Sequence, residues 1–455
     1  MRWVLRLMAT GDAIRPESAD LIEIYRPAGI ATIADLGLTL TEAKQLLSCV
    51  QQAVVAAQTE VHGRHRPDCL SCRGGCRVKD WRSRRVATLF GEVVVRLPRF
   101  TCAVCKRIVT SIDWPKHTRS TPELQRLQAH LSAMMTYRVA AGVLRHLLPV
   151  TAGTSPETLR SHTLHIGGKL GSVDIDAPTA AAAAVTVSLD STFIRGRGDG
   201  ERHLEVRVGN VETEHGGRQV LGAVAKAGTG VAALLRRSLQ TVGRNDDTKV
   251  TAFTDGGPGL RSILVEAGIP QAPILDWFHI AMRLQHATQS AGALSTDNPA
   301  RVQAKAMMVD EVERLRWRIW NGKAKNARKS LDRVRKVMHV YRGERLDYAA
   351  SAASRRLWHA LHNVDGYLRS QRNWLVNYAR RYRAGQRVGS SITEGTANFL
   401  VNRRMNKSQQ MRWSRRGADL LMQVRCAVYN GTLGSGFGQI FQAHPECAER
   451  SSKAA

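Results

Sequence analysis

The chain has 455 residues, a length that suggests about three domains. Hydrophobic residues make up 43% of it, as in a globular protein, and no apolar run reaches the length of a membrane span. Lys and Arg number 67 against 38 Asp and Glu, an excess of 29 positive charges. This excess favours DNA or RNA as a partner and argues against a protein that binds no polyanion. The start, MRWVLRLMA, is short and soon followed by acids, so it does not predict a signal peptide, and we expect a cytoplasmic protein.

Residues 1–65 are predicted to be an accessory helical region. Apolar residues recur at helical spacing from Leu40 to Val61. Thr39, with Glu42 three residues later, forms a capping box at the start of this helix. Such a helix packs into its own chain or pairs with a second subunit.

Residues 66–115 contain two Cys-x-x-Cys pairs separated by 29 residues. The four cysteines are Cys69, Cys72, Cys102 and Cys105. Two such pairs can present four thiolates to a zinc ion, and a cytoplasmic protein has little use for disulfides. The valine-rich run from Glu92 to Leu97 is predicted to be one arm of a hairpin in a zinc-ribbon-like module. Redox-active cysteines are the alternative, and Cys76 or His65 could replace one of the ligands.

Residues 116–175 are predicted to form two or three short helices. One apolar helical face ends before Pro149, and Ser155 is the expected cap of the next helix. The residues predicted to be exposed on that second helix are Arg160, Ser161 and His162. Two helices joined by a tight turn are typical of a helix-turn-helix whose second helix enters the major groove, with Arg160 contacting DNA. A plain helical hairpin would give the same pattern.

Residues 176–280 predict an α/β domain in which the order is strand, strand, strand, helix, strand, helix, strand. The first strand leads into Asp190, and the fourth leads into Asp255. Either acid alone is typical of a turn cap. Two neighbouring strands that each end in an aspartate would place both carboxylates at one edge of the sheet. Their mutual repulsion would then favour a divalent cation.

The fifth predicted strand is followed by Asp276-Trp277-Phe278-His279. This pattern is typical of a helix start, with Asp276 as the N-cap and the two aromatic residues in the core. The alternative is that Asp276 and His279 belong to a site.

Residues 281–387 are predicted to be an all-α insertion, because apolar residues recur at intervals of three and four, for example at Met308, Val312 and Leu315. Residues 301–390 contain 22 basic and 7 acidic residues, an excess of 15. A helical bundle with an apolar interior and an arginine-rich exterior is expected to hold duplex DNA.

Residues 388–430 are predicted to return to the sheet through a helix that carries Glu394 near its start. Amide side chains follow at intervals of four, at Asn398 and Asn402. The basic residues predicted to face DNA from the other sides are Arg403, Arg404 and Lys407. An ordinary basic surface helix would show the same composition. Residues 431–455 are predicted to be a loose tail.

Four blocks of the sequence resemble, in order, the characteristic blocks of insertion-sequence DDE transposases of the ISKra type. They are VSLDSTFIRG, FTDGG, LDWFHI and ITEGTANFLVNRRMNKSQQMRWSRRGADLL. The likeness covers most of the chain, from the region of Cys69 to about Asn430. The long interval between Asp255 and Glu394 fits the inserted helical region of that family.

The resemblance implies an α/β fold: an RNase H-like mixed five-stranded sheet, with its first and fourth strands side by side, interrupted by the all-α insertion. The zinc-ribbon-like and helical DNA-binding modules precede it. The resemblance also implies a triad of Asp190, Asp255 and Glu394 that holds two Mg²⁺ or Mn²⁺ ions, one activating an attacking water and one stabilising the leaving oxygen. Asp276 and His279 are then expected to orient the water or the DNA.

In the expected reaction, cleavage frees a 3′-OH at the end of the element, and this hydroxyl then attacks target DNA without a covalent protein intermediate. The expected partners are the terminal repeats, the target DNA and further copies of the same chain, in a homodimer or a higher oligomer. The protein is expected to be associated with the nucleoid. Two other classes are compatible with part of the sequence. A zinc-containing DNA-binding regulator explains the charge and the cysteines, and an RNase H-like nuclease explains the acids and the charge.

Overall fold

The structure is a computed structural model that describes residues 1–9, 17–26, 28–110, 112, 114–115, 118–170, 180–198, 202–341, 348–390, 395–406 and 411–435. The chain divides into two compact units, Met1–Val173 with Gly431–Ala455, and Asp174–Asn430. Among the residues that the structure describes, every helix is too short or too polar to cross a membrane.

The first unit begins with an antiparallel strand pair, β1 (Arg2–Ala9) and β2 (Glu17–Tyr25). The prediction of an all-helical N-terminal region is therefore wrong for these residues. The reason is a period of two: Ile22 and Ile24 are buried on one face of β2, whereas Glu23 and Tyr25 on the other face are exposed. Helix α1 (Leu40–Arg64) follows, and its predicted capping box between Thr39 and Glu42 is confirmed.

The cysteine region forms a three-stranded antiparallel sheet. Its strands, in spatial order, are β3 (Cys76–Thr88), β4 (Gly91–Cys102) and β5 (Ile108–Thr110). The hairpin predicted around the valine-rich run is confirmed, because that run lies within β4 and pairs with β3. The register places Cys76 opposite Cys102.

Three helices complete the first unit, together with a short helical turn at Thr432–Ser435. They are α2 (Pro122–Met134), α3 (Tyr137–Leu147) and α4 (Pro156–Leu170). The predicted cap of α4 is confirmed by the Thr158 N–H, which donates to Ser155 Oγ at 3.0 Å. The prediction that His162 is exposed is wrong. Its ring is buried, with Nδ1 2.6 Å from Gln128 Oε1 and Nε2 3.0 Å from Thr118 Oγ1, and burial lowers its pKa to about 4.

The second unit is organised around a five-stranded mixed sheet. Its strands are β6 (Ala184–Arg195), β7 (His203–Thr213), β8 (Arg218–Val224), β9 (Lys249–Thr254) and β10 (Ile274–Leu275). The spatial order is β10-β9-β6-β7-β8, with β6, β9 and β10 parallel and β6, β7 and β8 antiparallel. The prediction that the first and fourth strands are neighbours is confirmed by the pairing of β6 with β9.

Different elements cover the two faces of the sheet. Helices α5 (Val231–Thr241) and α6 (Pro258–Glu266) pack on the face that contains Val187 and Leu189. The opposite face is covered by three elements near the end of the chain. They are a π-helical turn (Asn398–Asn402), α12 (Arg403–Met405) and α13 (Arg415–Tyr429).

A helical bundle follows β10 and has a core of its own. Its helices are α7 (Trp277–Gly292), α8 (Pro299–Trp320), α9 (Ala324–Val337), α10 (Tyr348–Ser370) and α11 (Tyr378–Arg383). Two buried carboxylates join these helices through arginines. Glu311 of α8 pairs with Arg333 of α9 at 3.0 Å, and Asp365 of α10 pairs with Arg335 of α9 at 2.9 Å. These ion pairs connect α9 to α8 and to α10 inside the bundle.

Candidate active site and cysteine cluster

Three aspartates follow one row of residues across the three parallel strands. Leu189 of β6 is paired with Thr254 of β9, and Thr254 is paired with Leu275 of β10. The next residue along each strand is an aspartate: Asp190, Asp255 and Asp276. Parallel strands keep equivalent residues side by side, so this register places the three acids next to one another. Asp255 and Asp276 directly follow β9 and β10, and Asp190 lies within β6. The grouping of Asp190 with Asp255 that the sequence predicted is therefore present.

The prediction that Asp190 closes its strand is wrong. Strand β6 continues to Arg195, and Asp190 lies opposite Val208 of β7. Only the pairing with β9 ends beside Asp190. The residues Thr192, Phe193 and Ile194 after Asp190 are β-branched or aromatic, and this composition favours a strand that continues past Asp190.

The Asp190 side chain lies on the sheet face that the C-terminal elements cover. Asp190 and Ile194 are an even number of residues apart, so they share a face, and Ile194 packs with Val208, Ala397 and Leu400. This is the face approached by the segment that follows Glu394 in the chain.

His279 connects Asp190 with Asp276. Its Nε2 lies 3.9 Å from Asp190 Oδ1 and 4.0 Å from Asp276 Oδ2. Asp276 is the N-cap of α7, accepting the Phe278 N–H at 2.9 Å, so the helix-cap interpretation of this residue is correct. His279 lies one helical turn later, and the same cap therefore also directs its ring towards Asp190.

The environment of Asp190 disfavours its charge. Burial raises the pKa of its carboxyl, and Asp255 and Asp276 raise it further. His279 and the Ser191 N–H, which donates to Asp190 Oδ1 at 2.8 Å, oppose this shift. A bound cation would remove the conflict, because it favours ionised carboxylates.

Asp276 is held by a residue from a distant part of the chain. It is 1% exposed and accepts the Ser390 N–H at 3.1 Å as well as the Ser390 hydroxyl. The two residues are 114 positions apart, and no local pattern in the sequence indicates this contact. The bond fixes the chain four residues before Glu394.

A tight turn positions Asp255. The Gly257 N–H donates to Asp255 Oδ1 at 2.8 Å, and the Tyr367 hydroxyl donates to the Asp255 carbonyl oxygen at 2.8 Å. Gly256, between Asp255 and Gly257, has φ 91°, a backbone conformation that favours glycine. A Cβ at this position would lie 2.7 Å from Gln371 Cδ. The motif FTDGG thus matches a turn that requires its first glycine.

Glu394 and Lys407 lie outside the described residues. The described chain on the far side of Glu394 is anchored: Thr396 is fully buried and accepts from Arg218 Nη2 at 2.9 Å.

The four predicted zinc ligands form one cluster. The sulfurs of Cys69, Cys72, Cys102 and Cys105 all lie within 4.8 Å of one another. Four sulfurs at tetrahedral zinc, with bonds of about 2.3 Å, are about 3.8 Å apart, so the cluster could hold a zinc ion. Cys76 and His65 were the two alternative ligands. Cys76 is buried at the start of β3, and His65 is exposed directly after α1. Neither belongs to the four-cysteine cluster among the described residues.

The two Cys-x-x-Cys turns have matching backbones. Arg73, after the first pair, has φ 55°, and Lys106, after the second pair, has φ 58°. These turns direct backbone N–H groups at the sulfurs. The N–H groups of Cys105 and Val104 donate to Cys102 Sγ and lower its pKa to about 6. A thiolate at this position is the form that binds a metal.

No protein-family model matches the chain, and no curated protein sequence matches it.

The basic residues predicted to contact DNA have different environments. Arg160 is exposed on α4 and pairs with Glu157 at 2.5 Å. Arg403 is exposed, whereas Arg404 is fully buried, its guanidinium 5.4 Å from the centre of the Trp413 ring. The prediction that Arg404 contacts DNA is wrong, because its guanidinium fills the core beneath the C-terminal helices.

Proposed function

We propose that the chain is a DDE transposase with an RNase H-like catalytic domain, acting on the DNA of an insertion-sequence element. The observation that carries the proposal is the register of β6 and β9. Asp190 and Asp255 each come directly after the paired residues Leu189 and Thr254. Two carboxylates placed side by side on rigid parallel strands are suited to hold cations that act on a phosphodiester.

The arrangement of the sheet supports the RNase H-like assignment. Its first three strands are antiparallel, and the fourth lies parallel to the first. The resemblance of four sequence blocks to ISKra-type transposases supplies the choice of family. The charge supports DNA as the substrate, because residues 301–390 alone carry an excess of 15 positive charges.

Glu394 is the proposed third carboxylate. The Ser390 N–H donates a hydrogen bond to Asp276, which lies beside Asp190 and Asp255. Glu394 is four residues after Ser390, and four residues of extended chain span at most about 14 Å. Ala397, three residues after Glu394, packs with Val208, which lies opposite Asp190. The two described flanks, Ser390 and Ala397, thus contact Asp276 and the cluster around Val208, which supports Glu394 as the third carboxylate.

Asp190, Asp255 and Glu394 would hold two Mg²⁺ or Mn²⁺ ions, and the donor set fits because it consists of carboxylate oxygens, which these ions prefer. Two bound ions supply Lewis-acid activation of the attacking hydroxyl and stabilisation of the leaving oxygen. The other residues act by positioning. Asp276 fixes the start of α7, and His279 lies beside Asp190, where a ring N–H can donate a hydrogen bond to a phosphate oxygen.

In the proposed reaction, water would attack the phosphodiester at the end of the element, and a P–O bond to water would form as the bond to the 3′ oxygen breaks, which frees a 3′-OH. That hydroxyl would then attack a target phosphodiester, and the bond from this phosphorus to the target's 3′ oxygen would break. No side chain needs to form a covalent bond with DNA.

The zinc-ribbon-like module is proposed to be structural. Four cysteine sulfurs at the end of a hairpin would hold Zn²⁺ and fix the two turns relative to the three-stranded sheet. A homodimer or a higher oligomer is proposed from the family resemblance alone, and a cytoplasmic, nucleoid-associated location stays a prediction.

A nuclease of the RNase H-like class is the second candidate, because the same row of aspartates would serve it equally well. Joining distinguishes the two. Purified protein with Mg²⁺ or Mn²⁺ should cut a labelled duplex that contains the element's end and should join the cut 3′ end to a second duplex. Cutting without joining would favour the nuclease, and binding without cutting would favour a regulator.

A further inference from the structure

A groove runs between α7 and α10 in the helical bundle. Its volume is about 650 Å³. Residues of α7 line one wall, including His279, Arg283 and His286, and residues of α10 line the other, including Arg356, His359 and Asn363. On each helix these residues recur at intervals of three and four, so each wall is one continuous helical face.

The groove begins at the candidate active site. Its first wall residue is His279, whose Nε2 is 3.9 Å from Asp190 Oδ1. Its far end is Ala293, the residue that follows α7, 14 residues after His279, which corresponds to a length of about 21 Å at the rise of an α-helix. A second contact ties the wall to the acids: the Arg283 guanidinium lies 4.3 Å from the centre of the Tyr367 ring, and Tyr367 holds the Asp255 turn.

The chemistry of the walls fits a sugar-phosphate backbone. Two arginines and three histidines line the groove, and none of its described lining residues is acidic. Gln289, Ser290 and Asn363 add neutral donors. Arginines, imidazoles and neutral donors without an acid among the described lining residues are suited to phosphates and sugars, which carry no sequence information.

We propose that the α7–α10 groove holds the sugar-phosphate backbone of a single DNA strand that leads away from the phosphate to be cut. This proposal rests on the proposed function, because it assumes that DNA is cut at Asp190 and Asp255. A length of about 21 Å corresponds to at most about six backbone steps, the number at the duplex spacing of 3.4 Å per strand, and to fewer steps in a more extended single strand. The groove would fix the direction in which the strand leaves the acids.

The test measures how salt weakens DNA binding in Arg283→Ala, Arg356→Ala and the double variant. Removing one arginine–phosphate pair from a single-stranded complex lowers the slope of log affinity against log salt by about 0.7, so the double variant should show a slope smaller by about 1.4. A fourfold rise in salt should then weaken the wild type about sevenfold more than the double variant. Arg356→Ala alone, which leaves the Tyr367 contact intact, should lower the slope by about 0.7.

The probes are a fluorescently labelled single strand and a duplex of the same sequence, read by anisotropy. Arg236→Ala, at an exposed position of α5, and Lys249→Ala, at the start of β9 and so at the opposite end of that strand from Asp255, are the matched controls and should keep the wild-type slope. An unchanged slope in the double variant, an equal fall in the controls, or a fall of about 1.8 confined to the duplex would each overturn the proposal.

Binding is measured without cutting, so the two proposals fail separately. If the wild type never cuts DNA, the slopes still decide whether the groove binds a strand. If the slopes do not change while Asp190→Asn abolishes cutting, the groove proposal is wrong and the transposase proposal stands.

Discussion

Replacing Gly256 with alanine should strongly destabilise the second unit. Gly256 has φ 91°, and an alanine Cβ there would lie 2.7 Å from Gln371 Cδ and 3.0 Å from Leu275 Cδ1. The left-handed backbone costs about 1–2 kcal/mol for a residue with a Cβ. Displacing close-packed neighbours adds about 1–3 kcal/mol. Gln371 also accepts a hydrogen bond from Arg261, so its movement breaks a further interaction. The expected decrease in unfolding free energy is about 3 kcal/mol.

The matched control is Gly366→Ala. Gly366 lies inside α10, and a Cβ there would meet nothing within 4 Å. Alanine should therefore stabilise the helix by up to about 1 kcal/mol. Thermal melting followed by circular dichroism should show a midpoint about 6–12 °C lower for Gly256→Ala and an unchanged or higher midpoint for Gly366→Ala. Equal midpoints for Gly256→Ala and the wild type would refute the geometry assigned to the Asp255 turn.

Three further predictions concern individual side chains. Because burial raises the folded-state pKa of Asp190 above its unfolded value, its contribution to stability is present below the unfolded pKa and is lost as pH rises through the folded pKa. Without divalent cations, Asp190→Asn should therefore melt above the wild type near pH 7, with a smaller difference near pH 4, and parallel pH curves would contradict this. Cys69→Ser should lose about one equivalent of zinc by metal analysis whereas Cys76→Ser keeps it, and loss in both would reject the four-cysteine set. Arg404→Ala should lower the unfolding free energy by about 3 kcal/mol, whereas Arg403→Ala should weaken DNA binding at unchanged stability, and the reverse pattern would contradict the assigned burial.

Local patterns were sufficient to predict several parts of the fold. The alternation before Asp190 and the apolar run before Asp255 predicted two strands, and their parallel pairing is observed. The spacing of the cysteine pairs predicted a cluster that the hairpin of β3 and β4 brings together. These signals are short in range, and each depends on one element or one turn.

Contacts between distant residues were not predictable in the same way. Ser390 bonds to Asp276, and Arg218 bonds to Thr396, over separations of 114 and 178 residues. The sequence also predicts the wrong exposure for a charged side chain that packs in the core. Arg404 is fully buried, with its guanidinium over the Trp413 ring. Composition alone marks such a residue as exposed.

The place of Asp276 shows what a sequence pattern leaves undecided. Its helix-cap role and its place in the acid row looked like alternatives, yet the structure has both. The residue follows β10 in register with Asp190 and Asp255, and it also caps α7. Strand β10 is only two residues long, and its pairing with β9 places Asp276 next to Asp255.

The most direct test of the catalytic account is the rate of Mg²⁺-dependent cutting by Asp190→Asn, Asp255→Asn and Glu394→Gln, each measured together with DNA binding. Loss of one carboxylate should remove several kcal/mol of transition-state stabilisation, a fall of at least about a hundredfold in rate at unchanged DNA affinity. Asp246→Asn, at an exposed turn of the same unit, is the control and should cut like the wild type. If Glu394→Gln or either aspartate variant cuts at close to the wild-type rate, that residue is not a ligand and the proposed triad is wrong.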